Sequence, residues 1–482
     1  MFVFQEKDLN HILKVIITNM TPQRSPSQKP VPANILFLGA RYAFYHANTE
    51  LLESLLSTAL EKVNDVVERN QWDMTLLAFW MSNATLLLYY LKKDKGLNSA
   101  TPDFQAHTAD LINEIYILII RDAERRIDKI FDQALLDYET IPGFEDVHFQ
   151  NEWKIFRSKT KAKAPESLET MYRPPSPKRR AQISPRNVTS LLSSTLFVLD
   201  LYDIHSVITA QVISQLFYWL GTEMFNRIMS NKKYLARTKA MQIRMNVSIL
   251  EDWARTNDRK AEHYENGSMT STGETFIDMV RRHLAPTVQL LQWLQCFSSL
   301  GDDFEALAAT LQQLPGLVPQ QLLHAANHYR AEVGEKSLPK NAIKYLTNLR
   351  KEMAQKKTKE RETVNNNAKE NPHRYASPST QGASTAGEDT CSKPMSLHAD
   401  AHGDKLVDNL LFDPAYMLPF LLPTSTDMLV SYGAGFGGVN KEQERKYVPT
   451  VPPEVLTKLD ISSLKGESEV YQGSQWESRG TT

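Results

Sequence analysis

The chain has 482 residues, of which 41% are hydrophobic and 23% charged, and its 55 Lys+Arg stand against 56 Asp+Glu for a formal net charge of -1. That length allows two or three domains of about 150 residues, and the charge balance removes the electrostatic case for nucleic acid as a partner. Cys296 and Cys391 are too few and too far apart for a disulfide framework or a thiolate metal site, which points to a reducing, cytoplasmic setting.

Residues 1–33 read as a short helix and a flexible linker. Glu6, Lys7 and Asp8 precede only a brief apolar run without a small-residue cleavage site, so no secretion signal is expected. Prolines and polar residues over 21–32 then place the start of the ordered body near Asn34. Residues 34–153 form a first helical subdomain. Leu52, Leu55, Leu56, Ala59, Leu60, Val63 and Val67 recur at three- and four-residue steps, opposite Glu53, Glu61, Lys62 and Asp65, which is the pattern of an amphipathic helix. Residues 74–91 carry no charged side chain and approach the length of a bilayer span. Thr75, Ser82, Asn83 and Thr85 interrupt them, so the expectation is a buried bundle helix and no transmembrane span. A long pattern from Leu111 to Tyr138 closes the subdomain before Ile141-Pro142-Gly143.

Residues 154–186 are basic and proline-rich, without apolar periodicity, and read as a disordered insertion. Ser176 and Ser184 precede prolines here, beside Lys178, Arg179 and Arg180. Phosphorylation would set about two negative charges in that basic field, making both possible phosphosites. Helical patterning resumes over 187–354, with Pro286 expected to kink one helix and the last helix ending near Met353. Residues 355–405, poor in large aliphatics, read as a disordered linker. Residues 406–460 hold Leu410-Leu411-Phe412 and Phe420-Leu421-Leu422 broken by Pro414, Pro419 and Pro423, an irregular apolar segment expected to pack on the body, and 461–482 read as a disordered tail.

Motifs for chemistry are missing. No GxxxxGK[ST] occurs, and Gly433, Gly435, Gly437 and Gly438 lie in a proline-flanked tail rather than between a strand and a helix, so no nucleotide cofactor is implied. His324 and His328 have the four-residue spacing of paired zinc ligands, but no Glu follows His324 and no third ligand is near. The expectation is no catalytic residue, no cofactor and no metal.

The most informative stretch is 239–253, KAMQIRMNVSILEDW. Ala240, Ile243, Val247, Leu250 and Ala254 form an apolar seam, Arg244, Ser248, Glu251 and Arg255 a polar face, and Gln242, Asn246 and Trp253 a third side, so the helix is committed to neighbours on more than one face. This stretch resembles the signature of the dilute domain, the cargo-binding globular tail of class V myosins and of fungal proteins that join it to ankyrin repeats. QLFYWL at 215–220 with Phe225-Asn226, VQLLQWLQ at 288–295, residues 314–329, residues 35–45 and FWMSNAT at 79–85 resemble other helices of that family in the same order. The resemblance implies an all-α fold of tandem helical bundles. It also implies a non-catalytic module that binds small GTPases of the Rab or Rap type or cargo adaptors; Gln242, Arg244, Asn246, Glu251 and Trp253 are its signature residues, open to contact with a partner or to hydrogen bonds inside the fold. The family's motor, coiled coil and ankyrin array are absent from these 482 residues, which suggests a shortened gene or a divergent member, and Ala240 stands where the family is expected to have glycine. A basic insertion of this kind also suits a second reading, a peripheral tether on an anionic membrane surface. A helical enzyme without a recognised motif is a third.

Overall fold

The computed structural model describes residues 2–142, 144, 147–150, 182–265, 268–296, 299–300, 303–336, 338–370, 410–423 and 448–459. The first helices are α1 Leu9–Leu13, α2 Val31–His46, α3 Thr49–Arg69, α4 Met74–Lys93, α5 Lys95–Ala100 and α6 Pro102–Asp128. The second set is α7 Pro185–Leu201, α8 Ser206–Ser230, α9 Arg237–Thr256, α10 Phe276–Cys296, α11 Phe304–Gln312, α12 Pro319–His328, α13 Lys340–Glu370 and α14 Pro453–Leu459. A two-stranded antiparallel hairpin, β1 Ala261–Glu265 and β2 Ser268–Thr272, stands between α9 and α10.

Local chemistry sets the helix starts. Asn48, Asp73, Asp94 and Asp303 each accept from backbone N–H groups of the first turn of α3, α4, α5 and α11, satisfying donors that have no partner inside the helix. Prolines at the first turn of α6, α7 and α12 use the same asymmetry, because the missing N–H costs nothing there. Helix α4 is apolar on nearly every side and is accordingly enclosed by α2 and α6. By length and composition it could cross a membrane, but 89% of its most apolar window is buried inside the fold, as suits the core helix of a bundle.

The N-terminal reading needs correction. Phe2, Phe4, Leu9, Ile12, Leu13, Ile16 and Ile17 are all core residues, so the ordered body includes the segment before Asn34. The supposed linker is also anchored. Lys29 pairs with Asp203 at 3.2 Å, and its carbonyl accepts from Asn83 Nδ2 at 3.0 Å. Two further boundaries move. Helix α7 starts at Pro185, inside the stretch read as a disordered insertion; residues 151–181, and Ser176 with them, lie outside the described residues. Helix α13 runs on to Glu370 rather than ending near Met353. Its last turns lack apolar anchors, yet they are rich in Lys, Glu, Gln, Arg and Ala, strong helix formers, and contain no Gly or Pro. Helix α10 continues across Pro286. There α8 approaches so closely that a Cβ added to Gly221 would lie 2.4 Å from the His283 carbonyl oxygen.

Candidate functional site

The five signature residues sit on α9, and three of them are consumed inside the protein. Gln242, 1% exposed, accepts through Oε1 from the amides of Thr140 at 2.9 Å and Ile141 at 3.0 Å and donates through Nε2 to Thr140 Oγ1 at 2.9 Å. Asn246 donates from Nδ2 to the carbonyls of Leu135 and Tyr138 at 3.0 and 2.9 Å. A π-helical turn, Asp132–Leu136, ends the first helical set just before these groups. The two amides of α9 thus satisfy backbone atoms that the chain leaves open where it exits that turn. Trp253 Nε1 donates to Ser193 Oγ of α7 at 2.8 Å, and its ring lies 5.7 Å from that of Phe217. Gln242, Asn246 and Trp253 therefore clasp α9 to the end of the first bundle, to α7 and to α8. Arg244 and Glu251 differ: they join across two turns at 3.0 Å, with side-chain exposures of 36% and 16%. Ser184, the other described site residue, N-caps α7, with Asn187 Oδ1 accepting from its backbone N–H at 2.9 Å. A phosphate there would sit at a helix N-terminus, where negative charge is favoured.

A second constellation lies along α8, under the apolar segment expected to pack on the body. Helix α8 carries Gln211, Gln215, Tyr218 and Asn226 at steps of four, three and eight, one stripe along a largely buried helix. Against this stripe lies segment 410–423, which has neither helix nor strand and runs antiparallel to α8. Asn226 grips Phe412 through both amide atoms, accepting from its N–H and donating to its carbonyl, each at 2.9 Å. Tyr218 donates to the Asp413 carbonyl at 3.0 Å. Gln215, fully buried, donates to the Tyr416 carbonyl at 3.0 Å and accepts from the Leu418 amide at 2.8 Å. Gln211 grips Leu421 as Asn226 grips Phe412, at 2.8 and 2.7 Å. From α12, Gln321 donates to the Leu410 carbonyl at 3.3 Å. Rings meet between these bonds: Phe412 tilted against Phe225 at 4.6 Å, Tyr416 edge-on to Tyr218 at 5.8 Å and Phe420 stacked on Tyr116 at 4.4 Å. Farther on, residues 448–459 reach the first bundle, where Asn34 Nδ2 donates to the Thr450 carbonyl at 2.8 Å.

His283 is buried against α8, hydrogen-bonded to Ser214 Oγ at 2.9 Å, and burial, aided by Arg282, pushes its pKa down to about 3. Burial raises the Glu124 carboxyl to about 7. The rings of His324 and His328 lie 4.2 Å apart, tilted to one another, but His324 Nε2 faces the Met229 carbonyl and His328 Nδ1 the His324 carbonyl. No group of three or more His, Cys, Asp or Glu able to hold a metal occurs among the described residues.

Two helical bundles in sequence, joined by an internal clasp and bound around by a returning tail, define the fold of the myosin V globular tail. A yeast myosin 5 cargo-binding domain superposes with a TM-score of 0.52 at 15% identity, over 72% of this chain and 84% of that one. The Myo2 globular tail solved in complex with Mmr1 gives 0.51 at 16% identity over the same shares. The DIL domain family matches residues 211–333, a span that opens on the first residue of the α8 stripe. A dilute domain-containing protein of Schizosaccharomyces pombe is 32% identical over 476 residues, covering 97% of this chain and 73% of the relative. The chain belongs to the dilute domain-containing proteins. A second such protein, from Saccharomyces cerevisiae, is 23% identical over 72% of this chain and 52% of its own length. Human unconventional myosin-Va is 24% identical over 68% of this chain, which spans 17% of that myosin.

Proposed function

We propose that this chain is a binding module that holds a vesicle or polarity adaptor, without catalysing a reaction, in the cytoplasm at vesicles or the cell cortex. The observation that carries the proposal is the fold shared with Myo2 globular tails solved in complex with Mmr1 and with Smy1, in a chain whose family is the dilute domain. Within the signature, Gln242, Asn246 and Trp253 serve the fold, so Arg244 and Glu251 on the outer side of α9 are the members able to touch a partner. A Rab- or Rap-type GTPase is the finer form of the same proposal.

The test is affinity capture on the full chain from fungal lysate, in parallel with GDP and with a non-hydrolysable GTP analogue, followed by titration of each purified candidate. An adaptor recovered in both arms, with saturable binding, supports the module. A GTPase recovered only in the GTP arm supports the finer form. Nothing saturable, together with sedimentation on phosphatidylserine vesicles that salt abolishes, overturns it in favour of the membrane tether.

A further inference from the structure

The hydrogen bonds that α8 and α12 make to segment 410–423 all go to its main chain. Asn226, Gln215 and Gln211 present an acceptor and a donor to it as an edge strand would, so the grip reads an extended backbone rather than a particular sequence. The aromatic contacts come from Phe412, Tyr416 and Phe420, four residues apart in a stretch that Pro414, Pro419 and Pro423 bar from helix formation, while Leu410, Met417 and Leu422 add aliphatic packing. The segment lies on the surface: its three aromatic anchors are only half-buried, and Leu411 and Leu421 are 36% and 69% exposed. Lifting it off returns side-chain amides to water, which hydrates them, and uncovers apolar surface under Phe412, Met417 and Phe420 that a replacing segment has to cover again. The seat is also incompletely filled. Beside Phe412, a recess remains between α8 and α10, lined by Tyr218, Gly221, Thr222, Arg282, His283 and Pro286.

We propose that the α8 stripe is a peptide-binding groove which residues 410–423 fill in cis, and that a partner docks by replacing them with its own extended segment, non-helical and bearing aromatic side chains four residues apart. The partner gains its advantage by filling the recess beside Phe412. The need for that advantage follows from connectivity, since a tethered segment competes at an effective concentration of about 1 mM. An untethered segment with the same contacts cannot win. This proposal deepens the adaptor-binding reading and rests on it, but its test uses the chain's own sequence as ligand, so the two can fail separately.

The test is fluorescence anisotropy with a labelled synthetic peptide of residues 408–424, titrated with the full chain and with its Phe412→Ala/Tyr416→Ala/Phe420→Ala variant. The variant, its own anchors gone, binds the probe at least about tenfold more tightly than the parent. Adding Gln211→Ala and Gln215→Ala to the variant weakens it by about tenfold or more. A folded variant that ignores the probe overturns the proposal, and so does a variant that takes it up only as a dimer exchanging segments between copies. Should the triple variant fail to fold, hydrogen exchange on the parent chain decides. Amides of Phe412, Leu418 and Leu421 exchanging well before those of α8 support replacement; amides released only on global unfolding overturn it.

Discussion

Replacing Gln242 by leucine keeps the size of the side chain but removes the acceptor shared by the Thr140 and Ile141 amides and the donor to Thr140 Oγ1. Three polar groups at a part-buried junction then lose their partner at about 1 kcal/mol each, so the junction weakens by about 3 kcal/mol. Gln242→Glu retains the acceptor for both amides, and the Thr140 hydroxyl can turn to donate, which limits its loss to about 1 kcal/mol. The assay is amide exchange at Thr140 and Ile141. At 1.4 kcal/mol per decade, exchange should quicken by about a hundredfold in the leucine variant and by less than about tenfold in the glutamate variant. Urea unfolding should rank the two variants in the same order. If leucine leaves both amides as protected as in the parent, Gln242 does not carry the clasp, and the account of the signature helix fails.

Gly221→Ala should destabilise the chain by about 1–3 kcal/mol in urea unfolding although alanine favours helix, because the new methyl would meet the His283 carbonyl at 2.4 Å and backbone would have to shift. Trp253→Phe should cost about 1 kcal/mol, keeping the ring against Phe217 and losing the bond to Ser193 Oγ, and Ser193→Ala in that background should add little. His283 has its folded pKa lowered from 6.5 to about 3, so between those values the unfolded chain holds more protons and stability falls as the pH falls. Its contribution is full above 6.5, and His283→Gln should flatten that acid limb in a pH series of unfolding midpoints. Glu124 has the opposite sign: its folded pKa, raised from 4.5 to about 7, makes stability fall as pH rises through that window, and Glu124→Gln should remove the fall.

Periodicity disclosed the helices whose burial is one-sided or complete. The apolar seam of α3 and the nearly chargeless α4 could be placed within a few residues, because their energetics are local to the helix. The N-terminal segment could not, since the prolines and polar residues of 21–32 resemble a linker, and only the distant surfaces of α2 and α3 give Phe2 and Phe4 somewhere to go. The two strands of the hairpin are polar runs without apolar alternation, so periodicity does not reveal them. On α9 the residue types were conspicuous and their roles were not. Whether Gln242 meets a partner or the Thr140 amide depends on a contact 102 positions away in the chain. The α8 stripe was harder still: Gln211, Gln215 and Asn226 look like ordinary polar relief on an apolar helix until the segment 186 to 210 positions downstream lies across them. Their amide chemistry, at helical spacing on a helix otherwise committed to the core, was the signal available.

The measurement that bears most directly on the central claim is a calorimetric titration of the purified full chain with a purified adaptor recovered by it, repeated on the Gln242→Glu variant and at two salt concentrations. The account predicts saturable one-to-one binding, micromolar or tighter, that persists at the higher salt and is unchanged in the variant, since Gln242 belongs to the fold. Absence of saturable heat with any recovered protein, alongside salt-sensitive binding to anionic vesicles, would contradict it.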